Sequence, residues 1–205
     1  MTGGPFPLAL RAGALVWLAV FLAVYWRTYG PANFLHLCDV AVILTCWGLW
    51  RGSSLLLSSQ ALSSLVVDLV WDLDLVFRAS FGRHLIGGTE YMWDPRFPLA
   101  VRLMSLFHVV WPVLLIWALR RVGYDRRAWL MQTLLAAALL AASRLVLPEE
   151  NINFAQRDVF FRRQWGPGTV HVALTWMLLV GAVYWPTHRL LMKLFARSEM
   201  ERTRI

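Results

Sequence analysis

The sequence predicts an all-α polytopic membrane protein, a six-transmembrane-helix bundle, and its composition and hydropathy pattern are the reasons. Of the 205 residues, 59% are hydrophobic and 16% are charged, and the mean hydropathy is +0.54. A soluble domain carries about 45–50% apolar and about 25% charged residues, so both values depart in the direction of a membrane protein. Six stretches are also long enough to cross about 30 Å of hydrocarbon.

The six predicted spans form a single domain covering the chain. Each contains roughly 20 mostly apolar residues, the length that a transmembrane helix needs. The first stretch is kept as a span, because the aromatic pair Tyr25 and Trp26 stands where signal-peptide cleavage would require small residues. The predicted spans are 8–26, 33–50, 53–77, 98–119, 128–147 and 169–195, followed by a basic tail at 196–205.

The distribution of Lys and Arg predicts the orientation. Eleven of these residues fall on the side of the termini, seven fall on the opposite side, and Arg102 and Arg144 lie within spans. Because cytoplasmic loops are richer in positive charge, both termini are expected to be cytoplasmic, in a bacterial inner membrane.

Other classes of protein are excluded by the same numbers. The chain is too apolar for intrinsic disorder, and two cysteines are too few for a secreted disulfide scaffold. The net charge of +8 comes without an aromatic-interleaved basic patch, which argues for contact with lipid headgroups and against nucleic acid. Membrane lipids are therefore the expected partners, and a homo-oligomer or a larger membrane complex is left open.

Ionisable residues inside the spans predict a polar pocket. Each costs roughly 2.5–3.5 kcal/mol to insert into hydrocarbon, so each needs a partner, water or a role. All of them fall in the outer half of the predicted bilayer, as a pocket open to the outer leaflet requires. The residues are His36, Asp39, Asp68, Asp72, Asp74, Arg102, His108, Arg144 and His171.

Helical spacing suggests how these residues meet. His36 and Asp39 are three residues apart, and Asp68 and Asp72 are four apart, so each pair shares a helix face. We expect the two aspartates to face Arg102 or Arg144, as structural ion pairs or as a substrate-binding set. Asn151 belongs to a polar segment after the fifth span, which could either cap the mouth of the pocket or simply end the helix.

Three chemistries fit this cluster. A metal site could use His36, Asp39 and His108 with an aspartate of the third span. Nucleophilic catalysis could pair Cys38 with His108. Binding or transport could use the charged network as a relay or a headgroup site.

No nucleotide loop, haem motif or iron–sulfur motif is present, so no cofactor is assigned. The serine pairs of the third span are interpreted as helix-packing residues.

Three sequence features occur in an order that is also found in a known protein family. They are the run Leu35-His36-Leu37-Cys38-Asp39, His108 in a central span, and Gly166-Pro167 before the last span. By these features the chain resembles the YwaF-type family of bacterial integral membrane proteins over about residues 29–190. That family is grouped with an animal transmembrane acyltransferase that acts on ether phospholipids through a cysteine and a histidine. The resemblance implies Cys38 as acyl acceptor and His108 as base.

The predicted function is therefore a lipid acyltransferase or hydrolase with His108 as general base. Asp39 would orient a histidine, and Cys38 or a bound metal would supply the nucleophile. The alternative is a non-catalytic membrane component that binds a lipid or pigment, or serves as a subunit of a larger complex.

Overall fold

The computed structural model describes residues 4–146 and 148–195, and these ranges are helical, without strands. The predicted tail at 196–205 and residue 147, the last of the fifth predicted span, lie outside the described residues. The α-helices are α1 (Leu8–Tyr29), α2 (Leu37–Arg51), α3 (Ser54–Phe81), α4 (Leu99–Met104), α5 (Phe107–Val122), α6 (Ala128–Leu145), α7 (Gly168–Leu178) and α8 (Trp185–Phe195).

Five helical segments in the described ranges are long and apolar enough to cross a membrane. They are Leu8–Tyr29, Ser54–Phe81, Leu99–Val122, Ala128–Leu145 and Gly168–Phe195. This confirms that the described ranges are all-helical and contain several helices long and apolar enough to span a membrane. α2 has 15 residues, which is about 22 Å of helix and shorter than the roughly 20 residues that a span requires.

The second predicted span begins later than expected. Pro31–Leu35 forms a 3₁₀ turn, and His36 has an extended backbone, with φ −60° and ψ 133°, so α2 starts at Leu37. Proline suits the first turn of a helix but cannot donate a backbone hydrogen bond. The polar residues of this region therefore stand at a helix entry and not within a long helix.

Two of the membrane-length segments are interrupted. Between α4 and α5 the backbone hydrogen bonds span three residues in place of four. The Leu106 N–H donates to the Leu103 carbonyl at 3.2 Å, and the His108 N–H donates to the Ser105 carbonyl at 3.3 Å. The last segment contains a π-helical stretch, Leu179–Tyr184, between α7 and α8. Such irregularities within a helix often mark functional sites.

α3 is the central helix of the bundle. It packs against α2, α5 and α6, while α1 lies against α2 and α4. A tight hairpin joins α2 to α3 at Gly52, whose φ of +64° is left-handed, and a Cβ there would lie 2.7 Å from Pro5 Cγ. Because α3 is surrounded on several sides, many of its polar side chains are buried inside the bundle.

The bundle has two ends, and arginine–aromatic pairs occur at both. The terminus end holds Leu8, the turn at Gly52, residues 123–127 and Phe195, and the loop end holds residues 30–36, 82–98 and 148–167. Guanidinium groups stack on aromatic rings, which an ammonium group does less well. The pairs are Arg11–Trp50, Arg51–Trp47, Arg121–Trp117 and Arg189–Trp185 at the terminus end, and Arg78–Trp93, Arg83–Phe77 and Arg163–Trp165 at the loop end.

Candidate functional site

The entry of α2 at the loop end gathers several of the predicted site residues. His36 is the residue before the helix, and Cys38 and Asp39 lie in its first turn. Asp39 is buried and accepts a hydrogen bond from the Asn33 side chain at 2.5 Å. The Cys38 thiol lies 3.8 Å from the other Asp39 oxygen. Asp39 therefore orients Asn33 and Cys38, and the prediction that it orients a histidine is wrong.

Asn153 fastens this helix entry to the distant loop after α6. Its side-chain oxygen accepts from the backbone N–H of Leu37 at 2.9 Å. Its amide nitrogen donates to the Leu35 carbonyl at 2.7 Å and lies 2.9 Å from the Ser143 hydroxyl. The φ of Asn153 is +53°, a left-handed conformation that asparagine tolerates better than most residues. The bond from Leu37 satisfies one of the backbone N–H groups that the start of a helix leaves without an intrahelical partner.

His108 sits just after the interruption between α4 and α5. Its Nδ1 lies 2.8 Å from the Ser105 carbonyl oxygen, so Nδ1 carries the hydrogen and donates it. The ring stacks on Trp71 with centroids 4.5 Å apart and on Phe107 with centroids 4.1 Å apart. Within the described ranges no side chain bonds Nε2, which is left with its lone pair. His108 is 6% exposed.

Tyrosines surround the same region. The Tyr25 hydroxyl is buried and lies 2.8 Å from the Ser105 hydroxyl, and Tyr29 interacts electrostatically with Asp39. Tyr91, in the loop between α3 and α4, has its pKa raised by desolvation, with Cys38 and Ser105 as neighbours. Three phenol groups therefore lie in the region of Asp39, Cys38 and Ser105. Sequence reasoning missed them, because tyrosines near a membrane surface are usually read as interfacial anchors.

The structure brings several predicted residues from separate helices together. His36 and His108 are close enough to interact electrostatically, and so are Cys38 and Asp68. Across the described part of the chain, however, no group of three or more His, Cys, Asp or Glu could hold a metal ion. The residues do not fit the hypothesis of a metal centre.

The two aspartates of α3 do not pair with arginine. Asp68 is 1% exposed, and neither of its carboxylate oxygens has a hydrogen-bond partner among the described residues. One oxygen of half-buried Asp72 is likewise buried and unpartnered. Arg102 donates to the Met92 carbonyl at 3.2 Å. The expected ion pairs of Asp68 and Asp72 with Arg102 or Arg144 are therefore wrong.

Arg144 instead braces the loop that follows its own helix. It donates to the Gln156 side chain, to the Ala155 carbonyl at 3.2 Å and to the Gln164 side chain at 2.9 Å. Arginine and aspartate were expected to meet because they share a height in the membrane. Height does not fix the direction in which a side chain points around its helix axis.

Asn151 lies at a groove on the loop end, where sequence reasoning placed a pocket mouth. Its side-chain oxygen accepts the N–H groups of Gln156 and Arg157, both at 2.9 Å. The groove has a volume of about 260 Å³. Its charged and polar lining consists of Glu90, Glu149, Asn151, Arg157, Asp158 and Arg162.

Asp74, the third aspartate of α3, organises the loop after that helix. One oxygen accepts the backbone N–H groups of Leu85, Ile86 and Gly87 at 2.8, 2.7 and 3.0 Å. The other accepts from Thr89 at 2.5 Å and lies 2.9 Å from His84 Nδ1. This carboxylate has a full set of donors and a structural role.

His171 is also fully committed to structure. Its Nδ1 accepts the Trp165 backbone N–H at 3.2 Å, so its Nε2 donates to the Phe154 carbonyl at 3.0 Å. The ring is completely buried. His171 therefore holds the 154–165 loop against α7. His108 differs, since its Nε2 has no hydrogen bond from any side chain that the structure describes.

Comparison with protein-family models, curated proteins and solved structures gave no match. The resemblance to the YwaF-type family stays a prediction.

Proposed function

We propose that this chain is a six-span integral membrane protein that acts on lipid acyl groups, as an acyltransferase or hydrolase. In this proposal α2, extended by the 3₁₀ turn at Pro31–Leu35, is the sixth span beside the five membrane-length segments. Both termini lie on the cytoplasmic side of a bacterial inner membrane, as the excess of Lys and Arg at the terminus end suggests.

The observation that carries the proposal is the state of the His108 ring. Its Nδ1–H is bonded to the Ser105 carbonyl at 2.8 Å, and two aromatic rings hold it in place. A neutral imidazole fixed in this tautomer presents Nε2 as a proton acceptor, which is what a general base requires. Cys38, which the family resemblance implies as acyl acceptor, stands in the first turn of α2.

The proposed reaction has two balanced steps. His108 Nε2 takes the Cys38 thiol proton, the sulfur attacks an ester carbonyl of a lipid, and the ester alcohol leaves with the proton from the imidazolium. The enzyme then carries an acyl thioester. In the second step Nε2 takes a proton from water or from an acceptor lipid hydroxyl, that oxygen attacks the thioester, and the Cys38 thiol is regenerated. Phenol donors from Tyr25, Tyr29 and Tyr91 would stabilise the oxyanion of each step.

Recognition of the lipid headgroup belongs, in this proposal, to the groove beside Asn151. Its mixed carboxylates and guanidinium groups suit a headgroup with both charges. Arg102 and Arg144 support the surrounding loops through the carbonyls they bond. Asp68 and Asp72 are proposed to face the polar part of the substrate between groove and cysteine.

Trapping the thioester tests the proposal directly. The full chain is reconstituted in nanodiscs of phosphatidylethanolamine and phosphatidylglycerol, and intact-mass spectrometry looks for one added acyl chain that hydroxylamine removes. The adduct is expected on wild-type protein and absent from Cys38→Ser. Cys46→Ser is the matched control, because Cys46 is fully buried in the hydrophobic core, two helical turns further along α2. His108→Ala should form the adduct far more slowly while remaining monodisperse.

Two results would overturn the proposal that this protein is a lipid-acting enzyme. One is lipid that stays intact in the presence of folded wild-type protein, and the other is an adduct that persists in Cys38→Ser. The topology is tested separately with an alkaline phosphatase fusion after Arg121. Low phosphatase activity is expected there, and high activity would invert the orientation.

A non-catalytic membrane component is the second candidate, and the internal bonding of the helix entry favours it. Asn33 and Asp39 satisfy each other, and Asn153 bonds three groups around them. Such closed networks are typical of rigid structural cores. Lipid that co-purifies without being turned over, and that Asn151→Ala releases, would support this candidate.

A further inference from the structure

A row of polar side chains runs along α3 through the interior of the bundle, and the proposed function leaves most of it without a role. This α3 row consists of Ser58, Ser59, Gln60, Ser63, Ser64, Asp68 and Asp72. All except Asp72 are between 0% and 4% exposed. From Ser58 to Asp72 the row rises about 21 Å at 1.5 Å per residue, which is two thirds of the hydrocarbon thickness.

The terminus end of the α3 row is hydrogen-bonded to its neighbours. Ser58 accepts the backbone N–H of Asp125 at 2.9 Å, which ties the row to the turn before α6. Ser59 donates to the Gln132 side-chain oxygen at 2.8 Å. The Gln132 amide nitrogen lies 3.4 Å from the Tyr184 hydroxyl, in the π-helical stretch of the last segment. The row is therefore joined by a hydrogen bond to the polar turn at 123–127.

The middle of the α3 row continues toward the loop end. The Tyr184 hydroxyl interacts with Ser63. Ser64 lies beside Asp68, one helical turn before it, without a hydrogen bond of normal geometry between the two side chains. The titratable groups facing Asp68 are Asp72 on the same helix and Cys38 on α2. Cys38 in turn bonds Asp39, at the helix entry of the loop end. Polar groups thus follow one another from one end of the bundle to the other.

Several oxygens of this row lack a donor. Gln60 Oε1, both carboxylate oxygens of Asp68 and Asp72 Oδ1 are buried without a hydrogen-bond partner in the described structure. Gln60, Ser64, Asp68 and Asp72 recur every four residues, so the unpaired oxygens follow one stripe of the helix. Leaving a buried acceptor unpaired costs about 1–3 kcal/mol. Four such acceptors in line indicate an occupant that supplies hydrogen-bond donors.

We propose that the α3 row is a transmembrane proton path, with Asp68 as the carboxylate that takes up and releases the proton. Water molecules bridge the gaps between its side chains and donate to the unpaired oxygens, because a polar row with several acceptors is where buried water is found. Ionisable residues within spans commonly mark proton relays in membrane proteins.

Each transfer in the path is a simple exchange of hydrogen. A serine or tyrosine oxygen accepts a proton from the preceding water, and its own hydroxyl hydrogen passes to the next water. Asp68 accepts a proton on one oxygen to become neutral and loses it again toward the helix entry. One proton crosses the membrane for each cycle, no bond to carbon changes, and no oxidant or reductant is required. A carboxylate without a fixed partner is suited to this step, since no ion pair holds it in the charged form.

Proton flux into vesicles tests the path. Purified protein is reconstituted into phosphatidylethanolamine–phosphatidylglycerol vesicles loaded with pyranine, and a potassium gradient with valinomycin sets the membrane potential. Wild-type vesicles should acidify faster than protein-free vesicles. Asp68→Asn should reduce the rate to that of protein-free vesicles, and Asp68→Glu should retain much of the flux. Asp94→Asn is the matched control, because Asp94 lies in a loop and pairs with Arg96 at 2.6 Å. The proton flux of this variant should equal that of wild type.

Two outcomes overturn the proposal: wild-type flux equal to that of protein-free vesicles, and undiminished flux in Asp68→Asn that elutes as folded, monodisperse protein. Flux that disappears when sodium is replaced by choline would also overturn it, since the occupant would then be a metal cation. Failure of this test leaves the Cys38 thioester test unaffected, because the readouts are independent.

Discussion

Two aspartates on the same helix, six residues apart, have opposite surroundings. Asp74 is fully buried and bonded by three backbone N–H groups, a threonine hydroxyl and a histidine. Asp68 is equally buried and has no hydrogen-bond partner in the described structure. The Asp74 carboxylate thus stabilises the fold through its hydrogen bonds, whereas the described part of the fold supplies no hydrogen-bond donor to the Asp68 carboxylate. A buried charge with every lone pair satisfied is structural, and an unsatisfied one indicates a role outside stability.

Loss of Asp74 should give the largest loss of stability. Asp74→Ala removes the acceptor of three N–H groups and the Thr89 hydroxyl, so the free energy of unfolding should fall by about 3 kcal/mol. The measurement is the thermal unfolding midpoint of detergent-solubilised protein, followed by circular dichroism. Asp74→Asn keeps one acceptor oxygen and should fall between wild type and alanine. A midpoint unchanged in Asp74→Ala would show that the loop does not depend on this carboxylate.

The His171 substitution should rank next. His171→Ala leaves the Trp165 N–H and the Phe154 carbonyl without partners, which should cost about 2 kcal/mol in the same unfolding experiment. His36→Ala is the control, because His36 precedes α2 without a side-chain capping bond and its loss should cost less. Equal losses for the two histidine variants would contradict the assignment of His171 as the structural one.

Replacement of Asp68 should have a small effect of opposite sign. Asp68→Leu removes an unpaired carboxylate from the interior, so the unfolding free energy should stay unchanged or rise by about 1 kcal/mol. The comparison with Asp74→Ala in the same detergent is the measurement. A loss as large as that of Asp74→Ala would mean that Asp68 has a stabilising partner, and the contrast between the two aspartates would disappear.

The smallest effect concerns Asp158, in the loop outside the membrane. Burial opposes its charge, but N–H groups of Phe161 and Arg163 and the Trp165 indole outweigh it and hold its pKa below the usual carboxyl range. Because the pKa is lowered on folding, this contribution to loop order is present above the usual pKa and is lost as the pH falls through the folded value. Limited proteolysis at Arg162–Arg163 with an acid-tolerant protease should therefore accelerate only at pH below about 4. Asp158→Ala should be cleaved faster at neutral pH as well, and pH-independent cleavage of wild type would contradict this expectation.

The helical membrane fold could be predicted from the sequence because hydropathy over 20 residues determines whether a segment can enter a bilayer. The boundaries near Pro31 and Ser105 could not, since they depend on local turns. Asn153 was missed as a site residue because its bonds to Leu35 and Leu37 join segments more than 100 residues apart. No periodicity in the sequence reports a contact of that separation.

The sequence predicts that the candidate site residues share one layer of the membrane, but it does not predict which side chains they contact. Placing His36, Asp39, Asp68 and His108 in one layer followed from their positions along the spans. The partners of Asp68 depend on rotation of the helices about their axes, and short runs of sequence leave that angle open. Of the serine pairs interpreted as packing residues, Ser58–Ser59 and Ser63–Ser64 are buried, and Ser53–Ser54 is half-buried. Ser59 also hydrogen-bonds α6, and Ser58 bonds the turn before it.

The arginine–aromatic pairs at both ends of the bundle have a consequence for where the protein can reside. Each guanidinium rests on a ring of the protein's own scaffold, for example Arg121 4.4 Å from the Trp117 centroid and Arg163 3.6 Å from that of Trp165. Long cationic side chains elsewhere adapt to a thicker or thinner bilayer by reaching up or down. In this protein the arginines of these pairs are held against aromatic rings, so they cannot reach up or down in the same way. The lipid must therefore deform to match the protein, and we expect the protein to reside in membranes of one preferred thickness.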